Sequence, residues 1–162
     1  MIVPEHLRHL PFFAFMDGEQ LSALARIAEE VHFDVGDQIC EAHTPAETLN
    51  FLIDGSLLYY MVVISPYQPD YRKEFFIGVV NPGEIFGISS LIEPHLHTAT
   101  LRADKAGRLI QIHGAALRDL CEEDADLAVG LMKAVAKTAM SRLEMTRTQL
   151  VTQMAGKPKE PA

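Results

Sequence analysis

Apolar residues recur at helical spacing in the N-terminal part of the chain. This periodicity predicts two helices within residues 5–31. Pro11 interrupts the pattern, and Asp17-Gly18 predicts a turn before the second helix. The apolar positions that carry the pattern are Leu7, Leu10, Leu21, Leu24, Ile27 and Ala28.

Residues 31–113 carry short apolar runs bounded by turn residues in place of the helical pattern. Such runs at roughly 8–12-residue spacing are typical of an all-β barrel, sandwich or jelly roll. The pair Asp54-Gly55 lies between two runs and predicts a hairpin turn. The predicted strands are 31–33, 38–40, 49–53, 57–64, 74–80, 99–103 and 108–112.

The pattern becomes helical again after Gly114, and it predicts helices within residues 115–155. A short helix covers residues 115–120, and a long one begins near Asp124 and Asp126, whose charges suit a helix N-terminus. Gly156 and Pro158 end the long helix, so we expect residues 156–162 to form a flexible tail.

The long helix carries a row of six residues at spacings of 4, 3, 4, 3 and 4. This is the spacing of a heptad seam, the contact line between paired helices. At 1.5 Å per residue the helix is about 45 Å long, too long for a small barrel to cover. We therefore expect a parallel homodimer, although the seam could instead pack on the chain's own barrel. The seam residues are Met132, Ala136, Ala139, Leu143, Thr146 and Leu150.

Composition places the chain among soluble globular proteins. The chain has 162 residues, so we expect one domain over residues 1–155. Its net charge is −8, so we expect it to repel nucleic acid. Two cysteines, Cys40 and Cys121, are too few for a disulfide scaffold or a four-thiolate metal site. There is no signal-peptide pattern, and the longest apolar run, 57–64, is too short to cross a bilayer. We expect a cytoplasmic protein without membrane contact.

Particular residues, together with this order of predicted elements, indicate a known protein family. They are Leu10-Pro11-Phe12-Phe13, then Phe33, Gly36 and Ile39, then Ala46, Leu49, Phe51, Ile53 and Gly55, and finally Pro82-Gly83-Glu84-Ile85-Phe86-Gly87. Over residues 7–152 the chain resembles the cyclic-nucleotide-binding domain of the catabolite-activator and fumarate-nitrate-regulator superfamily. The resemblance implies a fold that is mainly β with α. A double-stranded β-helix (jelly-roll) barrel would be flanked by N-terminal helices and a long C-terminal dimerisation helix.

The resemblance also implies a phosphate-binding cassette. In that family it reads Phe-Gly-Glu, a small residue and Leu, followed a few residues later by Arg, Ser or Thr, and Ala. The Arg clamps the cyclic phosphate and the Glu accepts a hydrogen bond from the ribose hydroxyl. Here residues 86–91 read Phe-Gly-Ile-Ser-Ser-Leu and residues 96–100 read Leu-His-Thr-Ala-Thr. Ile88 therefore takes the Glu position and His97 the Arg position.

These two replacements predict lost or altered cyclic nucleotide binding. A hydrogen bond to a charged group is worth about 1.5–3 kcal/mol, so losing both costs roughly 3–6 kcal/mol, or about 10²- to 10⁴-fold in affinity. The alternative is a genuine cyclic AMP or cyclic GMP sensor with a non-standard pocket. The candidate pocket residues are Phe86, Gly87, Ile88, Ser89, His97, Thr98 and Ala99, with Thr146 and Arg147 capping from the long helix.

The resemblance and the missing motifs favour a non-enzymatic sensor. Activators of the superfamily carry a winged helix-turn-helix after the dimerisation helix, whereas only eight residues follow Met154, so we expect no direct DNA binding. We find no Ser/His/Asp or Cys/His nucleophile pattern and no Walker loop. We expect a regulatory module that acts through a protein partner and needs no cofactor beyond a possible cyclic nucleotide or other small ligand. The Tyr- and Pro-rich loop 65–73 is a candidate contact.

Two further interpretations use the histidines. His95 and His97 form the His-x-His pair of a cupin-like metal site, but Leu101 and Arg102 stand where a cupin Glu would fall. A haem could be ligated by Cys40, His95 or His97.

Overall fold

The computed structural model describes residues 2–156. Helix α1 (Pro4–Arg8), a 3-10 turn (Pro11–Phe13) and helix α2 (Gly18–Arg26) come first. The Asp17 side chain accepts a hydrogen bond from the Gln20 N–H at 2.8 Å, and the Gln20 side chain accepts one from the Asp17 N–H at 2.9 Å. This reciprocal capping box explains why α2 begins where the sequence predicts a turn.

Six strands follow in an antiparallel sheet whose central order is β1-β6-β3-β4, with β2 on β6 and β5 on β3. Strand β1 begins at Ala28, three positions before the predicted boundary at residue 31, because residues 28–33 all pair with β6. Helical periodicity at this boundary is overridden by strand pairing. The strands are β1 (Ala28–Phe33), β2 (Gln38–Cys40), β3 (Thr48–Ile64), β4 (Arg72–Val80), β5 (Ile85–Phe86) and β6 (Thr100–His113).

The hairpin predicted at Asp54-Gly55 is not formed. Strand β3 continues through both residues, and its register against β6 shifts between Leu52 and Leu57. Gly55 has a φ of 95°, and a Cβ on Gly107 would overlap the backbone oxygen of Asp54. The glycines therefore let the two long strands cross closely at a bulge, which uses the same residue types as a turn.

Two helices complete the described chain, α3 (Gly114–Glu123) and α4 (Ala125–Ala155). The Asp124 side chain accepts from the Leu127 N–H at 3.0 Å and from Gln20 Nε2 at 2.9 Å, so the cap of α4 is tied to α2. Three residues of α4 are buried in the core between the helices and one end of the barrel: Leu127, Leu131 and Val135. Within residues 2–156, none of the helices has both the length and the apolar character needed to span a bilayer.

The six residues of the predicted seam all lie on the exposed surface of α4 in the single chain. Leu143 and Leu150 are 49% and 60% exposed. The residues of α4 that pack on the rest of the chain are therefore Leu127, Leu131 and Val135, and not those of the seam. The seam remains exposed to solvent in the single chain. The tail predicted at residues 156–162 lies outside the described residues, apart from Gly156.

Candidate ligand pocket

A cavity of about 240 Å³, here called the small pocket, lies between the barrel and α4. It brings together all seven cassette residues that the sequence indicates. Neither Thr146 nor Arg147 lines it in the single chain. The lining residues are Cys40, Tyr59, Phe86, Gly87, Ile88, Ser89, His97, Thr98, Ala99 and Leu101 of the barrel, with Thr138, Ala139 and Arg142 of α4.

Gly87 sets the shape of the cassette. Its φ is 75°, and the next residues form a 3-10 turn (Ile88–Leu91) that begins directly after it. A Cβ on Gly87 would lie 2.5 Å from the Thr48 backbone oxygen and 2.9 Å from Asn50 Nδ2. Only glycine satisfies both the left-handed backbone and this close approach.

His97 also lines the small pocket, and its backbone is fixed by two hydrogen bonds. Its N–H donates to the Thr44 oxygen at 2.8 Å, and its carbonyl accepts from the His43 N–H at 2.8 Å. Burial lowers the pKa of the His97 side chain below its ordinary value of 6.5. The imidazole is therefore neutral at pH 7 and does not supply the cation that the family's Arg supplies.

Among the pocket residues that sequence reasoning missed, Arg142 is the charged one. Its side chain is 13% exposed, and Nη1 lies 3.2 Å from Glu84 Oε1. Nη2 donates to the Ile85 backbone oxygen at 3.1 Å, and the guanidinium lies 5.6 Å from the centre of the Tyr59 ring. Arginine is the only strongly basic side chain among the residues that line the small pocket, so Arg142 is its one cation.

The helix face that was predicted to cap the pocket is shifted by one turn. The Thr146 hydroxyl donates to the Arg142 backbone oxygen at 2.9 Å, so Thr146 lies one turn beyond Arg142 on the same side of α4. The position of the helix against the barrel is set by buried Leu127, Leu131 and Val135. Only the packed structure shows which turn of α4 those anchors bring over the cassette.

A wider cleft of about 710 Å³ adjoins the small pocket along α4. Thr138 and Arg142 line both cavities and so form the boundary between them. Apolar side chains such as Phe15 and Val129 line the cleft together with Lys133 and Lys137.

His95 and His97 do not act together. His95 lines a separate cavity of about 330 Å³ beside Glu47, His113 and Arg118. Across residues 2–156, no three His, Cys, Asp or Glu side chains are grouped so that they could hold a metal ion.

The small pocket also does not suit a haem. Its volume of about 240 Å³ lies below the roughly 300–1,000 Å³ of pockets for drug-sized ligands, and a porphyrin is larger still. Cys40 and His97 both line it, but burial raises the pKa of the Cys40 thiol to about 12. That thiol is protonated at neutral pH, whereas metal ligation requires the thiolate.

The family model for the cyclic nucleotide-binding domain matches residues 30–124. The chain belongs to this family. A candidate cyclic nucleotide-binding protein from Geobacter metallireducens GS-15 is 37% identical, with a TM-score of 0.74 over 88% of this chain and 99% of that one. The N-terminal domain of a transcriptional regulator from Streptomyces coelicolor A3(2) is 28% identical, with a TM-score of 0.61 over 83% and 92%. These likenesses confirm the family and the jelly-roll fold predicted from the sequence.

More distant similarities extend to proteins associated with kinases. The regulatory subunit of a cAMP-independent protein kinase A from Trypanosoma brucei shares the fold at 18% identity, with a TM-score of 0.67 over 90% of this chain and 49% of that chain. Two forms of the cGMP-dependent protein kinase isozyme 2 of Drosophila melanogaster are 26% identical over 102 residues, or 63% of this chain. The chain spans about a tenth of the length of those kinases, at 10% and 9%.

Proposed function

We propose that the chain is a non-catalytic regulatory domain whose small pocket takes a ligand. Ordinary cyclic nucleotides bind this pocket only weakly. Ligand binding changes the position of α4, and a protein partner recognises that change. One observation carries the proposal. The pocket keeps the backbone shape of the family's cassette, but two of the polar side chains that would bind a cyclic nucleotide are replaced. Gly87 holds the family's left-handed turn, while Ile88 and a neutral His97 stand where the sugar and phosphate partners belong.

The barrel wall of the small pocket offers a cyclic nucleotide no side-chain charge. Ile88 places an apolar group beside the site of the ribose hydroxyl, and it cannot accept a hydrogen bond. Burial lowers the pKa of His97, so its cationic form is disfavoured at neutral pH. The T. brucei neighbour is the regulatory subunit of a cAMP-independent protein kinase A, so a protein with this fold can belong to a kinase that does not depend on cyclic AMP.

Calorimetric titration of cyclic AMP and cyclic GMP into the wild type and the Ile88→Glu/His97→Arg double variant tests the proposal. We expect the double variant to bind cyclic AMP about 10²- to 10⁴-fold more tightly, because both charged hydrogen bonds are restored. Ile92→Glu is the matched control, since Ile92 is 46% exposed and does not line the pocket. Equal affinity of the wild type and a folded double variant would refute the proposal.

The exposed seam of α4 supports a second part of the proposal, a homodimer through this helix. Met132, Leu143 and Leu150 are 39%, 49% and 60% exposed in the single chain. Apolar seams of this length are stable in water when a second helix covers them. Leu143→Glu should convert the dimer to a monomer in sedimentation equilibrium, while Thr148→Glu, on the outer face of the same helix, should not. If the wild type sediments as a monomer even at high protein concentration, this part of the proposal is wrong.

The partner's contact surface is expected beside the dimer helix. The loop between β3 and β4 presents Tyr67, 92% exposed, and apolar Met61, Phe75 and Phe76 of the same hairpin are each at least 43% exposed. Aromatic residues and Met are enriched at protein interfaces. The hairpin is therefore the surface that we propose for a protein partner.

A further inference from the structure

Arg142 is held at the boundary between the small pocket and the wide cleft. Two of its five N–H donors are used, one toward Glu84 Oε1 at 3.2 Å and one toward the Ile85 oxygen at 3.1 Å. Within residues 2–156, its other donors have no hydrogen-bond partner in the structure. The guanidinium lies over Tyr59, which also lines the small pocket. A cation with spare donors therefore borders a pocket whose other lining residues carry no charge at neutral pH.

Glu84 is placed to compete for this cation. Its Oε2 accepts a hydrogen bond from the Asn81 N–H at 2.5 Å, so the carboxylate is anchored in the turn before β5. Its Oε1 faces Arg142, and the Glu84 side chain is 32% exposed. Because water reaches this ion pair, separating its two charges costs less than it would in the core.

We propose that Arg142 is the anion-recognising residue of the small pocket, and that an anionic ligand replaces Glu84 as the ion-pair partner of the Arg142 guanidinium. This inference rests on the proposed function and names the ligand class, a small organic anion. The negative group of the ligand meets Arg142, and its apolar body lies against Ile88, Ala99 and Leu101. The recognising charge is thus carried by α4 and not by the cassette.

The same exchange links ligand binding to the helix. The contacts of Arg142 with Glu84 and with the Ile85 oxygen hold this turn of α4 to the start of β5. A ligand that draws the guanidinium into the pocket replaces those contacts with its own. The C-terminal half of α4, which is largely exposed, is then released from the barrel at this point.

Two variants that break the same ion pair test this proposal, because they should shift anion affinity in opposite directions. The probe is cyclic AMP, and adenosine is its neutral counterpart, each titrated to tens of millimolar and followed by NMR. Arg142→Gln should weaken cyclic AMP binding about tenfold or more, since a charged hydrogen bond is lost. Glu84→Gln should strengthen it several-fold, since the competitor is removed.

Adenosine binding and one control variant complete the test. Neither substitution should change the affinity for adenosine. Lys137→Gln, which removes a cation of α4 that lines only the wide cleft, should leave cyclic AMP affinity unchanged.

A structural role alone would move both affinities in the same direction, and that result would overturn the proposal. So would an Arg142 Nε–H signal that stays unshifted in the wild type at tens of millimolar cyclic AMP. In that case, tight binding by the Ile88→Glu/His97→Arg variant would still support the proposed function. Failure of the double variant to bind would refute the proposed function whatever the Arg142 variants show.

Discussion

Replacing Gly87 with alanine tests whether the left-handed turn builds the cassette. Gly87 and Gly83 lie on either side of β5 and both have a positive φ, of 75° and 89°. They differ in the space around them. A Cβ on Gly87 would lie 2.5 Å from the Thr48 oxygen, whereas a Cβ on Gly83 would meet nothing within 4 Å. Gly83→Ala is therefore the matched control for the cost of the backbone conformation.

The two variants should separate the conformational and steric costs. An L-residue in the left-handed region costs about 1–2 kcal/mol, so Gly83→Ala should lower the free energy of unfolding by about that amount. Gly87→Ala should cost the same plus about 1–3 kcal/mol, because backbone atoms of β3 must move. Equilibrium unfolding in urea measures both losses as a shift in midpoint at unchanged slope.

The ligand-binding consequence can be measured on the same proteins. Gly87→Ala placed in the Ile88→Glu/His97→Arg variant should abolish its gain in cyclic AMP affinity, while Gly83→Ala should preserve it. Equal destabilisation by the two alanines, or retained affinity with Gly87→Ala, would refute the argument that this glycine shapes the pocket.

Two other predictions concern His97 in the pocket wall and the packing of α4 against β4. Because burial lowers the pKa of His97 in the folded state, the unfolded chain binds more protons, so stability falls as pH drops below 6.5. His97→Gln should flatten this decline in urea unfolding measured from pH 7 to 5, and an unchanged slope would contradict it. A Cβ on Gly78 would overlap the Met145 sulfur, so Gly78→Ala and Met145→Ala should be strongly non-additive in a double-mutant cycle. Additive losses would mean that α4 does not pack there.

The fold was predictable because its signals are local and agree with one another. The capping box at Asp17, the acidic start of α4 and the short apolar runs each point to the element that forms. The error at Asp54-Gly55 has a physical cause. The same residue types allow a tight turn and a strand bulge, and only the partner strand distinguishes the two. Sequence spacing contains no information about that partner.

The cassette part of the pocket lining was predictable, whereas the other barrel residues and the helix side were not. Residues 86–89 and 97–99 are close to one another in sequence, and a family motif identifies them. Arg142 reaches the pocket only because Leu127, Leu131 and Val135 fix where α4 docks. An arginine four residues before Thr146 was visible as a same-face neighbour, but its pairing with Glu84 spans 58 positions of the chain. Such long-range contacts follow from packing.

Thermal unfolding of the wild type with one millimolar cyclic AMP tests the central claim most directly. If the replacements at Ile88 and His97 raise the dissociation constant to about a millimolar, the ligand adds only about 0.4 kcal/mol, a shift of roughly 1–2 °C. A sensor with a micromolar dissociation constant would gain about 4 kcal/mol and shift by roughly 8–16 °C. The account predicts the small shift, and the large one would show that this pocket binds cyclic AMP as an ordinary member of its family does.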